Sequence, residues 1–213
     1  MVLVNALYFN APWLYPFEEF LTADAPFHGS LKESTVRMMS RKAYMNYAEY
    51  MGCQLVELPY EGGRYSMYVL LPPKGLDMHE VIGYLSEDAY KTALSALQSK
   101  EVMLKMPRVK AETSLLLNDS LREMGIKTAF TSAADFSGIA EMGPLALDQV
   151  KQKCYVEISE KGTEAAAVTS AQIRMTSARP APYVKMTVDR PFVFFITDTQ
   201  KDNILFAGRI MNL

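Results

Sequence analysis

Side chains able to do chemistry are sparse in this sequence, and their placement excludes more than it offers. Histidine occurs twice, at His28 and His79. Neither sits near a nucleophile-elbow motif or among metal-ligating neighbours, so a hydrolase and a His-rich metal site both lack an inventory. No cofactor is expected. Cys53 and Cys154 are too few for a disulfide framework and read as buried thiols rather than redox groups. The informative spacing lies at 163–174. Positions 163, 165, 167, 169, 171 and 173 are Thr, Ala, Ala, Thr, Ala and Ile, while both charges, Glu164 and Arg174, fall on the other parity. Successive side chains of a strand point to opposite faces. The segment could therefore lie in a sheet, small residues inward and charges outward. Its flanks, Gly162 on one side and Pro180 and Pro182 on the other, say loop. A segment with a loop's context and a strand's pattern suggests two conformations. Small side chains suit entry between two existing strands, no proline from 162 to 179 removes a ladder donor, and Gly162 can absorb the change in dihedrals at the hinge.

The elements that must position this segment follow from hydrophobic periodicity. Val2-Leu3-Val4-Asn5-Ala6-Leu7-Tyr8-Phe9 reads as a buried strand. It begins directly after Met1, and residues upstream are expected. Residues 19–29 look extended or irregular. Residues 35–39 and 44–50 alternate as two strands, and 54–59 and 65–71 form a hairpin across Glu61-Gly62-Gly63-Arg64. From Met78 to Leu97 the spacing becomes helical, with Ser86 starting a second helix. Residues 102–106 form a strand ended by Pro107. Residues 115–124 form a short helix closed by Gly125. Residues 147–159 form a long strand and 162–182 an exposed loop of a length that is usually functional. Residues 183–188, 192–197 and 204–210 close the chain, the last two as buried strands. The class is α+β, dominated by antiparallel sheet.

Composition limits the partners. The 213 residues are 49% hydrophobic and 22% charged, enough apolar material for a core. Lys and Arg number 22 against 24 Asp and Glu, a net charge of −2. The absence of a basic run argues against nucleic acid or anionic lipid as the main partner. The apolar runs are too short to span a bilayer. The 14 methionines read as core filler, Trp13 as core packing and Asn5 as a buried, satisfied amide.

The run Glu160-Lys161-Gly162-Thr163-Glu164-Ala165-Ala166-Ala167-Val168-Thr169 resembles the reactive-loop hinge of an inhibitory serpin. The resemblance extends in order along the whole chain. It includes Val4-Asn5-Ala6-Leu7-Tyr8-Phe9 with Trp13, Leu58-Pro59-Tyr60, Met106-Pro107-Arg108, Ala134-Asp135-Phe136-Ser137-Gly138-Ile139 and Asp189-Arg190-Pro191-Phe192. It implies a partial serpin domain over 1–213, with mixed, mostly antiparallel sheets, a few short helices and an N-terminal helical half to precede it.

The resemblance further implies a suicide inhibitor. A trypsin-, elastase- or subtilisin-like serine protease, or a cysteine protease, would attack the loop, and the cut hinge would insert as a strand of the large sheet. Glu160 and Lys161 would end the preceding strand, and Gly162, Thr163, Glu164, Ala165, Ala166, Ala167 and Thr169 would form the hinge. The family's spacing puts the scissile bond at Thr176-Ser177, with Arg174-Met175 the alternative, since arginine anchors in carboxylate-bearing pockets. Asn5, Trp13 and Gln152 would lie at the sheet opening, Gln152 replacing the family's usual histidine opposite Asn5. An extracellular or periplasmic setting is implied. A non-inhibitory carrier or chaperone, and an inert fragment, remain the alternative readings.

Overall fold

The computed structural model describes residues 1–139, 145–163 and 182–213. The strands are β1 (Val2–Tyr8), β2 (Ala11–Pro12), β3 (Ala23–His28), β4 (Glu33–Tyr50), β5 (Cys53–Pro59), β6 (Tyr65–Leu71), β7 (Gln98–Pro107), β8 (Val109–Leu116), β9 (Gln149–Ser159), β10 (Gly162–Thr163), β11 (Val184–Thr187), β12 (Phe192–Asp198) and β13 (Asn203–Ile210). Three short helices join them: α1 (Met78–Tyr84), α2 (Glu87–Ser95) and α3 (Asn118–Glu123). The chain forms two compact units, Met1–Phe9 with Lys110–Glu157, and Asn10–Val109 with Ile158–Leu213.

In the first unit β1 runs parallel to β9, from Val2↔Gln149 to Tyr8↔Tyr155, and β8 also pairs with β9. Asn118 fixes the start of α3. Its Nδ2 donates to the Asp148 carbonyl at 2.7 Å, and its Oδ1 accepts from the Val150 amide at 2.9 Å. Gly125, at φ +99°, ends the helical turn by donating its amide to the Arg122 carbonyl. The sequence expectation of a helix from 115 differs from what is found. Leu115 and Leu116 extend β8, and the helix waits for the amide side chain of Asn118. β1 is a strand as expected, but not a buried one. Val4 is 67% exposed, and Asn5 is exposed rather than a buried amide. Branched and aromatic residues dictate the extended backbone; burial needs a further layer over the strand's faces.

In the second unit the main sheet runs β11-β7-β4-β5-β6-β12-β13, with β3 paired to β4. Its pairings are antiparallel apart from β11 with β7. The 18 residues of β4 form one strand where sequence alternation indicates two. The polar run Ser40-Arg41-Lys42 breaks the pattern, yet β7 hydrogen-bonds across it from Met38↔Pro107 to Tyr47↔Gln98. Likewise 23–28, irregular by sequence, becomes β3 by pairing with β4. The β5–β6 hairpin turns through Gly62 and Gly63, both at positive φ. Ser86 caps α2, its hydroxyl accepting from the Ala89 amide at 3.1 Å.

The core of this unit is built on its main sheet: Met39, Tyr47, Val56, Met67, Val69, Leu104, Met106, Met186, Phe192 and Ile196 are fully buried. Methionine fills much of it, while Met51 and Met124 stay exposed. Cys53 is buried and Cys154 half-buried, both as free thiols. β12 is buried as expected. β13 is not: it ends the sheet order with a single neighbour, and Ile204 and Leu205 are exposed.

Gly208 on β13 shows how tightly that last pair closes. A Cβ there would lie 2.5 Å from Cε1 and Cζ of the buried Phe194 ring. Gly208→Ala is expected to lower stability by about 1–3 kcal/mol, the cost of overpacking a filled site. Chemical unfolding at fixed pH measures it, and an unchanged midpoint would show that the ring moves freely.

Candidate functional site

The segment singled out by its alternation enters the structure as β10, two residues lodged between two other strands. Gly162 pairs with Ser159 of β9 and Pro12 of β2; Thr163 pairs with Ile158 and Ala11. The position demands glycine. Gly162 has φ +143°, and a Cβ would lie 2.4 Å from the Ala11 carbonyl oxygen and 2.6 Å from Pro12 Cα. Its carbonyl accepts from the Ser159 hydroxyl at 3.1 Å.

Thr163 is fully buried. Its Oγ1 lies 2.8 Å from the Tyr60 hydroxyl in a hydrogen bond. Tyr60 stacks on Trp13 with ring centroids 4.5 Å apart. Burial pushes the Tyr60 phenol far above its ordinary pKa, against a smaller opposing effect of the Thr163 bond, so it stays neutral. Trp13 Nε1 donates to the Ser159 carbonyl at 2.9 Å, and its amide donates to the Lys161 carbonyl at 2.9 Å. One residue, through its indole and its backbone amide, thus satisfies both sides of the turn that leads into β10.

Glu160 anchors the same turn from below. Its side chain is 3% exposed, and its Oε1 accepts from Thr22 Oγ1 at 2.6 Å. Arg108 donates from Nε to both carboxylate oxygens at 2.9 Å, with Nη2 2.8 Å from Oε1. The Glu160 carbonyl accepts from the Phe17 amide at 2.8 Å. A buried carboxylate survives only when paired and hydrogen-bonded. Burial alone would raise the Glu160 pKa; the bonds from Arg108 and Thr22 outweigh it and hold the carboxyl below its usual value.

The structure therefore brings Trp13, Glu160, Gly162 and Thr163 together. Asn5 and Gln152 face each other in the register of β1 and β9. Glu164, Ala165, Ala166, Ala167, Thr169, Arg174, Met175, Thr176 and Ser177 lie outside the described residues. Sequence reasoning missed three partners: the Tyr60 hydroxyl, Thr22 and Arg108. Tyr60 and Arg108 stand inside runs that were visible as motifs, but nothing local couples them to residues 52 or more positions away. Thr22 carried no signal at all. Among the described residues, no cluster of His, Cys, Asp and Glu could hold a metal ion.

Three measurements check this geometry. Gly162→Ala is expected to cost about 2–4 kcal/mol, combining backbone strain with a backbone clash, and to remove hydrogen-exchange protection at the Thr163 amide; retained protection would contradict the close approach. Arg108→Ala is expected to cost about 2–3 kcal/mol, low for an orphaned buried charge because the Arg108 side chain is itself 44% exposed. Because the folded-state pKa of Glu160 is depressed, its contribution is complete above its unfolded value of about 4.3 and is lost as pH falls through the lower folded value. The gap in melting temperature between the wild type and Glu160→Gln should therefore be constant near neutrality and close in acid; a gap unchanged into strong acid would refute the assignment.

With this geometry in hand, the chain's relatives can be compared. A family model described as Serpin (serine protease inhibitor) matches residues 1–213. The chain is 37% identical over 214 residues to Serpin B8 of Bos taurus, covering 98% of this chain and 57% of that protein. It is 38% identical over 220 residues to leukocyte elastase inhibitor A of Mus musculus, covering 99% of this chain and 58% of the other. The crystal structure of human thyroxine-binding globulin complexed with thyroxine superposes with a TM-score of 0.88 at 30% identity, covering 99% of this chain and 56% of that one. The chain thus spans a little over half the length of these relatives, and it belongs to the serpin family.

Proposed function

We propose that this protein acts in the trapping of a serine protease, as the portion of a serpin-type inhibitor that carries both the bait and the strand that springs. The protease serine hydroxyl attacks the carbonyl carbon of Thr176 in the Thr176-Ser177 bond. An ester forms, and the amine of Ser177 leaves with the downstream chain. Arg174-Met175 is the alternative bond, suited to a trypsin-like enzyme. A cysteine protease would form the equivalent thioester. The freed hinge, Gly162 through Thr169 and beyond, then extends β10.

The observation that carries this reading is the seating of β10, Gly162–Thr163, between β9 and β2. Its register can be continued by arithmetic. Thr163 pairs with Ile158 and Ala11, so each further residue falls opposite one earlier position of β9 and one earlier position of the N-terminal segment. Residue Thr169 then meets Gln152 and Asn5, which at present pair with each other. Insertion would part the direct β1–β9 ladder and replace each pairing with two. Each added backbone hydrogen bond is worth about 0.5–1.5 kcal/mol net. These bonds and the burial of the inward side chains must outweigh the ordering of the inserted residues, and the parting of the existing ladder supplies a barrier. Parity supports the same reading. Thr163 is fully buried, so Ala165, Ala167 and Thr169 would follow it inward, all small and uncharged, while Glu164 would face outward.

Incubation with trypsin-, elastase- and subtilisin-like proteases is expected to give an SDS-stable covalent complex, with mass spectrometry of the released peptide locating the bond. Loop nicking should raise the melting temperature sharply. Thr163→Arg, which cannot bury its charge beside Tyr60, is expected to turn the inhibitor into a substrate that is cut and released. Clean cleavage of the wild type by every enzyme, with no gain in stability, would favour a non-inhibitory serpin or an inert fragment.

A further inference from the structure

Arg41 lies on β4 at the same parity as the buried Met39 and Met45, opposite the buried Leu104. Its Nη1 donates to the Tyr15 carbonyl at 2.6 Å, and its guanidinium carbon lies 5.1 Å from the centre of the Tyr15 ring. Other arginines pair with carboxylates, such as Arg64 with Asp198 and Arg108 with Glu160. Arg41 reaches none among the described residues. Burial pulls its pKa below the ordinary guanidinium value, opposed only by the Tyr15 phenol. Of its five N–H donors, one goes to the Tyr15 carbonyl, and the half-buried guanidinium can offer others to an arriving acceptor.

The space beside it is shaped for an arrival. A cavity of about 260 Å³ is lined by Arg41 and Tyr15 and by the apolar Leu14, Met45, Leu58 and Pro59. Glu57 also lines it, but its oxygens are engaged: Oε2 by Asn46 Nδ2 at 2.7 Å, Oε1 by Ser66 Oγ at 2.6 Å and the Tyr68 hydroxyl at 3.2 Å. Glu57 therefore cannot swing over to serve Arg41 without orphaning three donors. Its charge remains at the cavity wall, where it repels a second anion and attracts an N–H group.

We propose that this cavity binds an acidic side chain of a partner peptide: the carboxylate on the Arg41 fork, the methylenes against Leu58 and Pro59, and the peptide N–H toward Glu57. A free dicarboxylate offers the first contact but meets Glu57 with its second charge.

Calorimetric titration of the protein tests this with acetyl-Ala-Glu-Ala-amide, the matching Gln peptide and glutarate. The Glu peptide should bind saturably. The Gln peptide should bind at least about tenfold more weakly, as expected for loss of a charged bidentate partner. Arg41→Gln should abolish binding, and Arg41→Lys should weaken it by losing the planar fork. Ser99 is exposed and lines the same cavity. Ser99→Glu should block the peptide without lowering the melting temperature, which keeps the test decisive if Arg41→Gln fails to fold. Equal affinity for glutarate would reassign the site to small free acids. Absence of saturable heat, equal binding of the Gln peptide, or binding that survives both Arg41→Gln and Ser99→Glu would overturn the proposal.

Discussion

The approach of the Gly162 backbone to the chain at 11–13 sets the terms for the site around it. With Ala11 and Pro12 at its face, no side chain fits, and the strand that starts there must enter as bare backbone. That close seating directs Thr163 into the interior beneath Tyr60. It also obliges the preceding turn to be held rigidly, which the Glu160 carboxylate does through Arg108 and Thr22. Trp13 closes the arrangement by bonding to carbonyls on both sides of the turn. Each of these contacts joins residues far apart in sequence, so the turn is stable only once the surrounding strands have formed.

The clamp lies at the start of the segment that is proposed to insert. Residues 160–163 are fixed by a buried ion pair, an aromatic stack and ladder hydrogen bonds, a dense set of interactions for four residues. In the proposed mechanism this is where movement must begin and where it must not begin early. A loosely held start would let the strand lengthen before any protease arrived. The depressed pKa of Glu160 has the same meaning in electrostatic form: the folded state is tied to an ionised carboxylate at that point.

Much of this was legible in the sequence, and the failures have physical causes. The hairpin at 54–71 and the glycine at 162 are local patterns, and the structure follows them; of the alternation at 163–174 only Thr163 lies among the described residues. The helix at 115 failed because apolar residues there serve a strand, and only a long-range amide clamp from Asn118 sets where the helix begins. β1 and β13 were read as buried because composition reports the preference to be covered, not whether a layer is present. β4 was read as two strands because a polar run interrupts its alternation, while pairing with β7 ignores side-chain polarity. At the site, Gly162 announced itself by type. The Tyr60–Thr163 and Arg108–Glu160 contacts could not, since each is made by the fold and not by spacing.

The stack of Trp13 on Tyr60 has an optical consequence. Trp13 is the single tryptophan of the chain, it is buried, and it lies one residue away, through Tyr60, from the buried Thr163. Its emission therefore comes from one place only. The molecule carries its own unlabelled fluorophore beside β10, so a stopped-flow instrument could follow events there in real time.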